Sequence, residues 1–364
     1  MKVAIFLPSG NLGGAEQVLL QIAIYYSVEG HEVSIISLTS VSIDKLKAKI
    51  VPYKINLIYF ESHRESVGAL KLLFSTLTNL GHYNFDMTYS SHVHLNAYVS
   101  LLRKCRLIRI EKHVVRESTL IFDRFKGYKL KLFSIAYDIG YGNADLVICQ
   151  TEMMKAQLVA NKPKINSHKI KVLNNPVTLL NKNYSFLNPL PKKPYLVSAG
   201  RLISEKGFDI LIDVFHSLNE EWPNLHLVIL GEGPKRTELE NQILRLGIKD
   251  KVHLAGWKED VYSYFRFAET CVVSSRIEGF PNVLLQMMMV NNAVVSTTCA
   301  QGISEIEGLI TCSVEDAHAL KSSIGRSLKD RNINNRSIFD QYINNNTIGN
   351  YVRRIENYVK KNEV

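Results

Sequence analysis

Two short strings in the C-terminal half carry residue types suited to holding an anion and a polyhydroxylated group. The first is Gly200-Arg201-Leu202-Ile203-Ser204-Glu205-Lys206-Gly207. It follows an apolar run, Tyr195–Ala199, and precedes a helical pattern at Leu211, Ile212, Phe215 and Leu218. Glycines in such a strand-to-helix loop let the backbone approach a ligand closely, and the helix start adds a positive dipole end. Arg201 offers a planar fork for phosphate oxygens and Lys206 a point charge, so the loop suits a diphosphate. By composition alone a charged surface turn explains the string equally well. The second string, SRIEGFPNVLLQ from Ser275 to Gln286, follows the apolar run TCVVS. Glu278 stands in a Gly/Pro loop that opens into a helix. A carboxylate there can accept hydrogen bonds from sugar hydroxyls, and the backbone amides after it can meet phosphate. The competing explanation is a carboxylate that merely favours the positive end of its helix.

Other candidates are sparser. Ser9–Gln17 (SGNLGGAEQ) follows the first apolar run, but it does not give the G-x-G-x-x-G of a dinucleotide-binding turn, which disfavours a dehydrogenase. His92 and His94 form a His-x-His pair without a further ligand cluster. No D-x-D occurs anywhere in the chain, so the usual metal-bridging carboxylate pair is absent and no metal is expected. Trp257 offers either a stacking face or a half-buried core ring.

These residues need elements to position them, and the pattern supplies alternating strands and helices. Lys2–Leu7, a helical pattern from Val18 to Tyr26, and His31–Leu38 make a βαβ unit, which implies a parallel sheet with right-handed crossovers. Met87–Ser90, Ile108–Val115 and Leu146–Cys149 continue the strands, and Thr151 reads as a helix cap. The stretch Asn174–Pro194 holds four prolines and five asparagines and reads as a linker. Beyond it the alternation restarts at Tyr195–Ala199, Leu225–Leu230, Val252–Leu254, Thr270–Ser274 and Ala293–Ser296, and Ile338–Lys361 reads as one amphipathic helix. The expected fold class is α/β, with two Rossmann-like parallel-sheet domains in series. Their strand C-terminal ends would share a cleft, where ligands bind.

Length and composition agree. The chain has 364 residues, 46% hydrophobic and 21% charged, which suits two soluble domains rather than a disordered chain. A net charge of +10 favours anionic partners without choosing among them. Five scattered cysteines without a C-x-x-C argue against a disulfide framework or zinc site and for a reducing cytoplasm. The N-terminal apolar run ends at Pro8, too early for a signal segment, and no window is apolar enough to span a membrane. Residues 101–131 carry ten Lys or Arg against three acids, interleaved with Leu120, Ile121, Phe122, Phe125 and Tyr128. That mixture suits docking on an anionic membrane surface; a solvated basic face is the alternative. No nucleic-acid recognition motif appears.

Taken together, GRLISEKGFDILI, VILGEGPKRTEL, VHLAGW, SSRIEGFPNVLLQMM and VVSTTCAQGISEI, in that order, resemble the family-four retaining glycosyltransferases of GT-B fold, among them bacterial sugar-polymer enzymes. GGAEQ at Gly13–Gln17 and NNPV at Asn174–Val177 extend the resemblance over nearly the whole chain. It implies an acceptor-binding domain at 1–180, a donor-binding domain at 181–340, and a C-terminal helix at 341–364 packing back on the first domain. It further implies transfer of a hexose or N-acetylhexosamine from a nucleotide-sugar, UDP favoured, to a saccharide acceptor, lipid-linked in many relatives. The nucleotide-sugar is a co-substrate, and no cofactor is implied. Arg201 and Lys206 would hold the donor diphosphate and Glu278 the sugar hydroxyls. Gly200, Phe280, Pro281, Asn282, Val283 and Leu284 would line the phosphate loops. Gly13 and Gly14 would admit the donor or acceptor, and Gly256-Trp257 would lie near the base. The family's second glutamate, eight positions after the first, holds the ribose; here it is Gln286, an uncharged acceptor. Glu16 is expected to organise its loop. By register Ser118 takes the place where relatives carry a first-domain histidine, and His92 is an alternative cleft residue, whereas His113 reads as structural. A nucleotide-sugar isomerase of similar fold and a catalytically weak nucleotide-sugar-binding protein remain as competing readings. The expected location is the cytoplasm, at the inner face of the membrane.

Overall fold

The structure, a computed structural model, describes residues 1–78, 83–118, 121–180, 185, 194–330 and 334–361. Most of the expected linker, 181–184 and 186–193, lies outside these residues, as does Leu120. The chain divides into two compact units: Met1–Thr178 with the segment from Ile348 onward, and Leu179–Thr347.

In the first unit β1 (Lys2–Leu7), β2 (Glu32–Ser37), β3 (Ile55–Tyr59), β4 (Asn84–Ser91), β5 (Arg109–Arg116), β6 (Leu146–Cys149) and β7 (Ile170–Val172) run parallel. Their order among the described residues is β3-β2-β1-β4-β5-β6-β7. The helices between them are α1 (Gly14–Val28), α2 (Ile43–Ile50), α3 (Glu65–Thr78), α4 (Val93–Lys104), α5 (Ile121–Arg124), α6 (Gly127–Gly140) and α7 (Glu152–Asn161). β1 shows why its sequence is apolar from Val3 to Leu7. Val3, Ile5 and Leu7 meet Val18, Leu19 and Ile22 of α1 on one face. Ala4 and Phe6 meet Leu72 of α3 and Leu95, Val99 and Leu102 of α4 on the other. A parallel strand covered on both faces has no polar side to alternate with. The Thr151 hydroxyl caps α7 as expected, accepting from the Met154 amide at 3.2 Å.

The second unit repeats the scheme with β8 (Tyr195–Ala199), β9 (His226–Leu230), β10 (Val252–Gly256), β11 (Thr270–Val273), β12 (Val294–Thr297) and β13 (Ile310–Cys312). These strands are also parallel, in the order β10-β9-β8-β11-β12-β13. Its helices are α8 (Phe208–Leu218), α9 (Arg236–Arg245), α10 (Val261–Arg266), α11 (Asn282–Val290), α12 (Ala317–Lys329) and α13 (Arg336–Asn345). Leu211, Ile212, Phe215 and Leu218 of α8 form one buried stripe against Leu227 and Ile229 of β9, the 3.6-residue period read from the sequence.

The tail departs from its sequence reading. Where one helix over Ile338–Lys361 is expected, α13 ends at Asn345 and α14 (Ile348–Lys361) starts afresh. The Asn346 amide turns back to the Ile343 carbonyl (3.0 Å), and the Ile348 amide donates to Val177 of the first unit (3.0 Å). Asparagine side chains compete for backbone groups and tolerate such non-helical turns, which explains a break in an Asn-rich stretch. Tyr351, Val352, Ile355 and Val359 of α14 then join the core around α1, so the last helix completes the first unit.

Candidate active site

Each sheet has one place where the chain reverses its direction of travel: between β1 and β4 in the first, between β8 and β11 in the second. Loops leaving the strand C-terminal ends diverge there and open a crevice, the usual ligand position in open α/β sheets. The chemistry-bearing residues gather at both.

In the second unit the β8–α8 loop carries Gly200 to Gly207 and the β11–α11 loop Ser274 to Pro281. Lys206 ends a 3-10 turn, Ser204–Lys206, and its Nζ bonds Glu278 Oε1 directly. The same carboxylate oxygen accepts from the Ser275 hydroxyl at 2.9 Å, and the Glu278 amide is fixed to the Cys299 carbonyl at 2.9 Å. Lys206 and Glu278 are both mostly buried, their side chains 19% and 18% exposed. Two glycines make this possible. A Cβ on Gly200 would stand 3.2 Å from Lys206 Cε, so the lysine stem passes where a side chain would otherwise be. Gly207 has φ +62, and a Cβ there would come within 2.2 Å of the Ser274 carbonyl oxygen, a contact that only glycine permits. Arg201 is exposed, and among the described residues its guanidinium makes no ion pair or hydrogen bond. The sequence-singled trio is thus one formed pair beside one unengaged fork.

The remaining second-unit candidates divide into side chains and backbone. Phe280, Pro281 and Leu284 are buried, so only their backbone can face a ligand. Pro281 caps α11, whose first residues are Asn282 and Val283. The Leu284 amide already donates to the Pro281 carbonyl (3.0 Å), so any amide donation to phosphate falls to Val283 and the residues before it. Gln286 hydrogen-bonds the Tyr262 phenol, and this bond tempers the upward push that burial gives the phenol. Gly256, with φ +73, ends β10 and accepts from the Gly231 amide at 2.8 Å. Trp257, which the sequence left between a stacking face and a half-buried ring, is 70% exposed.

In the first unit Gly13 caps α1, and a Cβ on it would meet Glu16 Oε2 at 2.7 Å. Gly14 is the first residue of the helix. Glu16 Oε1 pairs with His92 Nε2 at 2.7 Å, joining the first turn of α1 to the cap of α4 at the crevice. Burial pushes the Glu16 carboxyl up, but the His92 hydrogen bond and the charges of His92 and Arg116 outweigh it and hold it below its ordinary range. His92 itself has φ +73, a conformation non-glycine residues rarely adopt, at the cap of α4. His94 does not join it on a ligand but pairs with Glu65 at 2.8 Å. Among the described residues no three His, Cys, Asp or Glu side chains converge as a metal site.

Ser118 lines a cavity of about 150 Å³ together with His92, Glu117, Ile121 and Phe125. Sequence reasoning passed over Glu117. Its buried carboxylate accepts from the hydroxyls of Tyr137 (2.9 Å) and Tyr141 (2.6 Å). Arg116 was equally unmarked: it is 3% exposed and bonds Asn175 of the NNPV string. The available signal was an Arg-Glu pair at the very end of a buried strand. His113 is structural, as read. It is fully buried between the hydroxyls of Ser90 (2.9 Å from Nε2) and Ser100 (3.1 Å from Nδ1). Burial, helped by the Arg103 charge, pushes its pKa down to about 3. In the unfolded chain it protonates near its ordinary value, so its contribution is complete above about pH 6.5 and is lost as pH falls from there towards 3. The slope expected from it is up to about 1.4 kcal/mol per pH unit. Urea unfolding at pH 7 and pH 5 should therefore show a drop about 2 kcal/mol smaller in His113→Gln than in the parent. Equal drops would remove the assignment of a neutral buried imidazole.

Two doubly wound parallel sheets, each with its charged residues at the switch point, define a twin Rossmann-like protein. Comparison with known proteins places it more narrowly. Residues 12–179 match the description Glycosyltransferase Family 4, and residues 182–346 match Glycosyl transferases group 1. A Campylobacter jejuni protein, N-acetylgalactosamine-N,N'-diacetylbacillosaminyl-diphospho-undecaprenol 4-alpha-N-acetylgalactosaminyltransferase, is 30% identical over 324 residues, covering 84% of this chain and 83% of its own. An uncharacterized glycosyltransferase of Haemophilus influenzae is 26% identical over 308 residues, with 84% and 83% covered. Among solved structures, Anabaena HepE in complex with UDP-glucose superposes with a TM-score of 0.80 at 16% identity, covering 99% of this chain and 100% of that one. The chain belongs to the family 4, group 1 glycosyltransferases, and its fold is that of the GT-B enzymes.

Proposed function

We propose that the chain moves a hexose or N-acetylhexosamine from a UDP-sugar to a lipid-linked saccharide acceptor, with retention at the anomeric carbon and without a metal ion. The observation that carries this reading is the Lys206–Glu278–Ser275 cluster at the second switch point, with the Arg201 fork one loop residue beyond Gly200. As the bond from the anomeric carbon to the diphosphate oxygen breaks, its electron pair and the growing negative charge stay on the leaving group. Fixed cations aimed at that charge lower the barrier, the part a metal plays elsewhere. Arg201 and Lys206 supply them, the start of α11 adds its positive end, and Glu278 accepts hydrogen bonds from sugar hydroxyls. The acceptor oxygen bonds the same carbon on the face the leaving group vacates, and its proton passes to the departing phosphate. The relatives named above support the acceptor class: the Campylobacter protein's name specifies a diphospho-undecaprenol-linked saccharide. HepE with UDP-glucose supports the uridine donor.

The test is a mass-spectrometric screen of UDP- and GDP-sugars against polyprenyl-diphosphate saccharides, with and without chelator. Transfer from a UDP-sugar, unaffected by chelator and giving the donor's anomeric configuration by NMR, is the expected result. Epimer formation would point to an isomerase. Binding without transfer would point to the weak-binder reading, which the engagement of Gln286 by Tyr262 favours over full donor affinity.

The same reading includes docking at the inner face of the cytoplasmic membrane. Tyr128, Leu132 and Ile135 of α6 are exposed among Lys126, Lys129 and Lys131. On α3, Leu70, Phe74 and Leu77 form a second exposed stripe. α6 packs on α4, and the Tyr98 hydroxyl of α4 bonds the Ala69 carbonyl of α3 (2.6 Å), so both stripes belong to one helical layer. Apolar groups set among cations suit an anionic lipid surface. Among the described residues no helix is long and apolar enough to cross a membrane. Co-sedimentation with phosphatidylglycerol vesicles is expected at low salt and should be lost near 1 M salt, where the screening length is about 3 Å. Changing Tyr128, Leu132 and Ile135 together to serine should weaken it roughly tenfold or more, since each buried apolar side chain contributes about 1.5 kcal/mol or more. No sedimentation at low salt would remove the docking.

A further inference from the structure

Arg276 stands between the two ligand loops of the second unit, and none of the roles above uses it. Its guanidinium donates in parallel to Asp209, Nη1 to Oδ1 at 2.7 Å and Nη2 to Oδ2 at 2.6 Å. Nη1 also donates to the Ser204 carbonyl at 2.6 Å, and Nε bonds Glu315, which follows β13. Its backbone amide donates to the Glu205 carbonyl at 2.8 Å. One residue of the β11–α11 loop therefore grips the β8–α8 loop at Ser204 and Glu205 and the first turn of α8 at Asp209. These attachments bracket Lys206 on both sides. Two residues past Arg276 is Glu278, the partner of Lys206.

The strength of this device lies in direction more than in energy. The side chains of Arg276 and Asp209 are 24% and 43% exposed, so screening by water keeps each ion pair modest. A planar fork on a carboxylate nevertheless fixes angle as well as distance. Burial pushes the Asp209 carboxyl up, but the Arg276 hydrogen bonds and charge outweigh it and keep it below its ordinary range, so the pair stays ionised at neutral pH. Gly207 lets the loops close: with φ +62 it sits against Ser274, and its Cβ position would lie 3.9 Å from Arg276 Cγ.

We propose that Arg276 is a positioning residue, a strap that sets where the Lys206 ammonium and the Glu278 carboxylate stand for the donor's diphosphate and sugar. The proposal rests on the transferase reading of the site. Lysine at this position would keep the charge and lose the fork. The strap has two readouts, one independent of activity. Amide hydrogen exchange of full-length Arg276→Lys should rise at least tenfold in 204–209 and 275–279, with β1 and β9 unmoved. Steady-state kinetics with UDP-glucose, or with whichever UDP-sugar the screen selects, should show kcat down about thirtyfold and donor KM within threefold, the pattern of an interaction realised in the transition state. In a Lys206→Ala background the same substitution should lower kcat less than threefold, because its effect passes through Lys206. Asp209→Asn provides a second variant that breaks the fork from the other side, and it should reproduce both readouts. Unchanged exchange in 204–209 would overturn the strap whatever the enzyme does. Equal kcat losses in both backgrounds would overturn its action through Lys206. Loosened loops in a protein that neither binds nor turns over any UDP-sugar would defeat the transferase reading, and with it the positioning role, while leaving the geometry standing.

Discussion

Arg201→Ala is expected to lower turnover about a hundredfold or more, the scale of removing one preorganised charge-stabilising donor. The reason is where the residue stands. It leaves β8 directly after Gly200, at the switch point of the second sheet, and it is exposed with no bonded partner among the described residues. A guanidinium held in a salt bridge must leave that partner to serve a ligand; this one need not. Deleting it should also disturb the fold little, since Leu202 beyond it supplies the buried contact and the loop is held by backbone bonds such as Leu202 N–H to the Glu232 carbonyl (3.0 Å). Thermal unfolding of the variant should fall close to the parent while kcat collapses. Turnover within threefold of the parent would end the role assigned to Arg201.

Lys206→Ala should cost a comparable factor, by a different route. Lys206 is not waiting for a ligand; it is already bonded to Glu278. Its removal takes a cation from the leaving group and also leaves the Glu278 carboxylate to the Ser275 hydroxyl in a largely buried position. Both consequences act on the reacting sugar, so kcat should fall about a hundredfold. Lys206→Arg should not restore it. The lysine stem lies so close over Gly200 that a Cβ there would stand only 3.2 Å from its Cε, and an arginine's planar fork does not replace the lysine's compact point charge. Rescue by arginine to within tenfold would mean that the site needs only a charge and that the packing over Gly200 is incidental.

What could be read from the sequence was whatever the backbone decides locally. The loop Gly200–Gly207 announced itself because a close approach of chain to chain demands glycine, at Gly200 and Gly207, within a few residues of the chemistry; Ser275–Pro281 was marked by a carboxylate in a Gly/Pro loop opening a helix. The buried strands were legible because β1, β6 and β8 are mostly apolar, and their bounds match the reading. Three of the four edge strands among the described residues were not. β3 is only half-buried and β7 and β13 are three residues each, too short for a period to show. Side chains whose partners lie far along the chain were equally opaque. Arg116 finds Asn175, Glu117 finds Tyr137 and Tyr141, and Arg276 finds Asp209, none of them a neighbour in sequence. Trp257 failed for the opposite reason: a lone aromatic after a strand carries no pattern, and its exposure depends on what packs nearby. The tail shows how amphipathicity misleads. The apolar stripe continues from α13 to α14, but the two helices spend it on different cores.

That last point bears on synthesis. A nascent chain emerging from the ribosome presents β1 to β7 first, yet the apolar face of α1 that Tyr351, Val352, Ile355 and Val359 cover stays open until α14 is made. The first half of the protein to be translated is therefore the last to be finished. While the second half folds, the apolar patch beside Tyr26 waits uncovered.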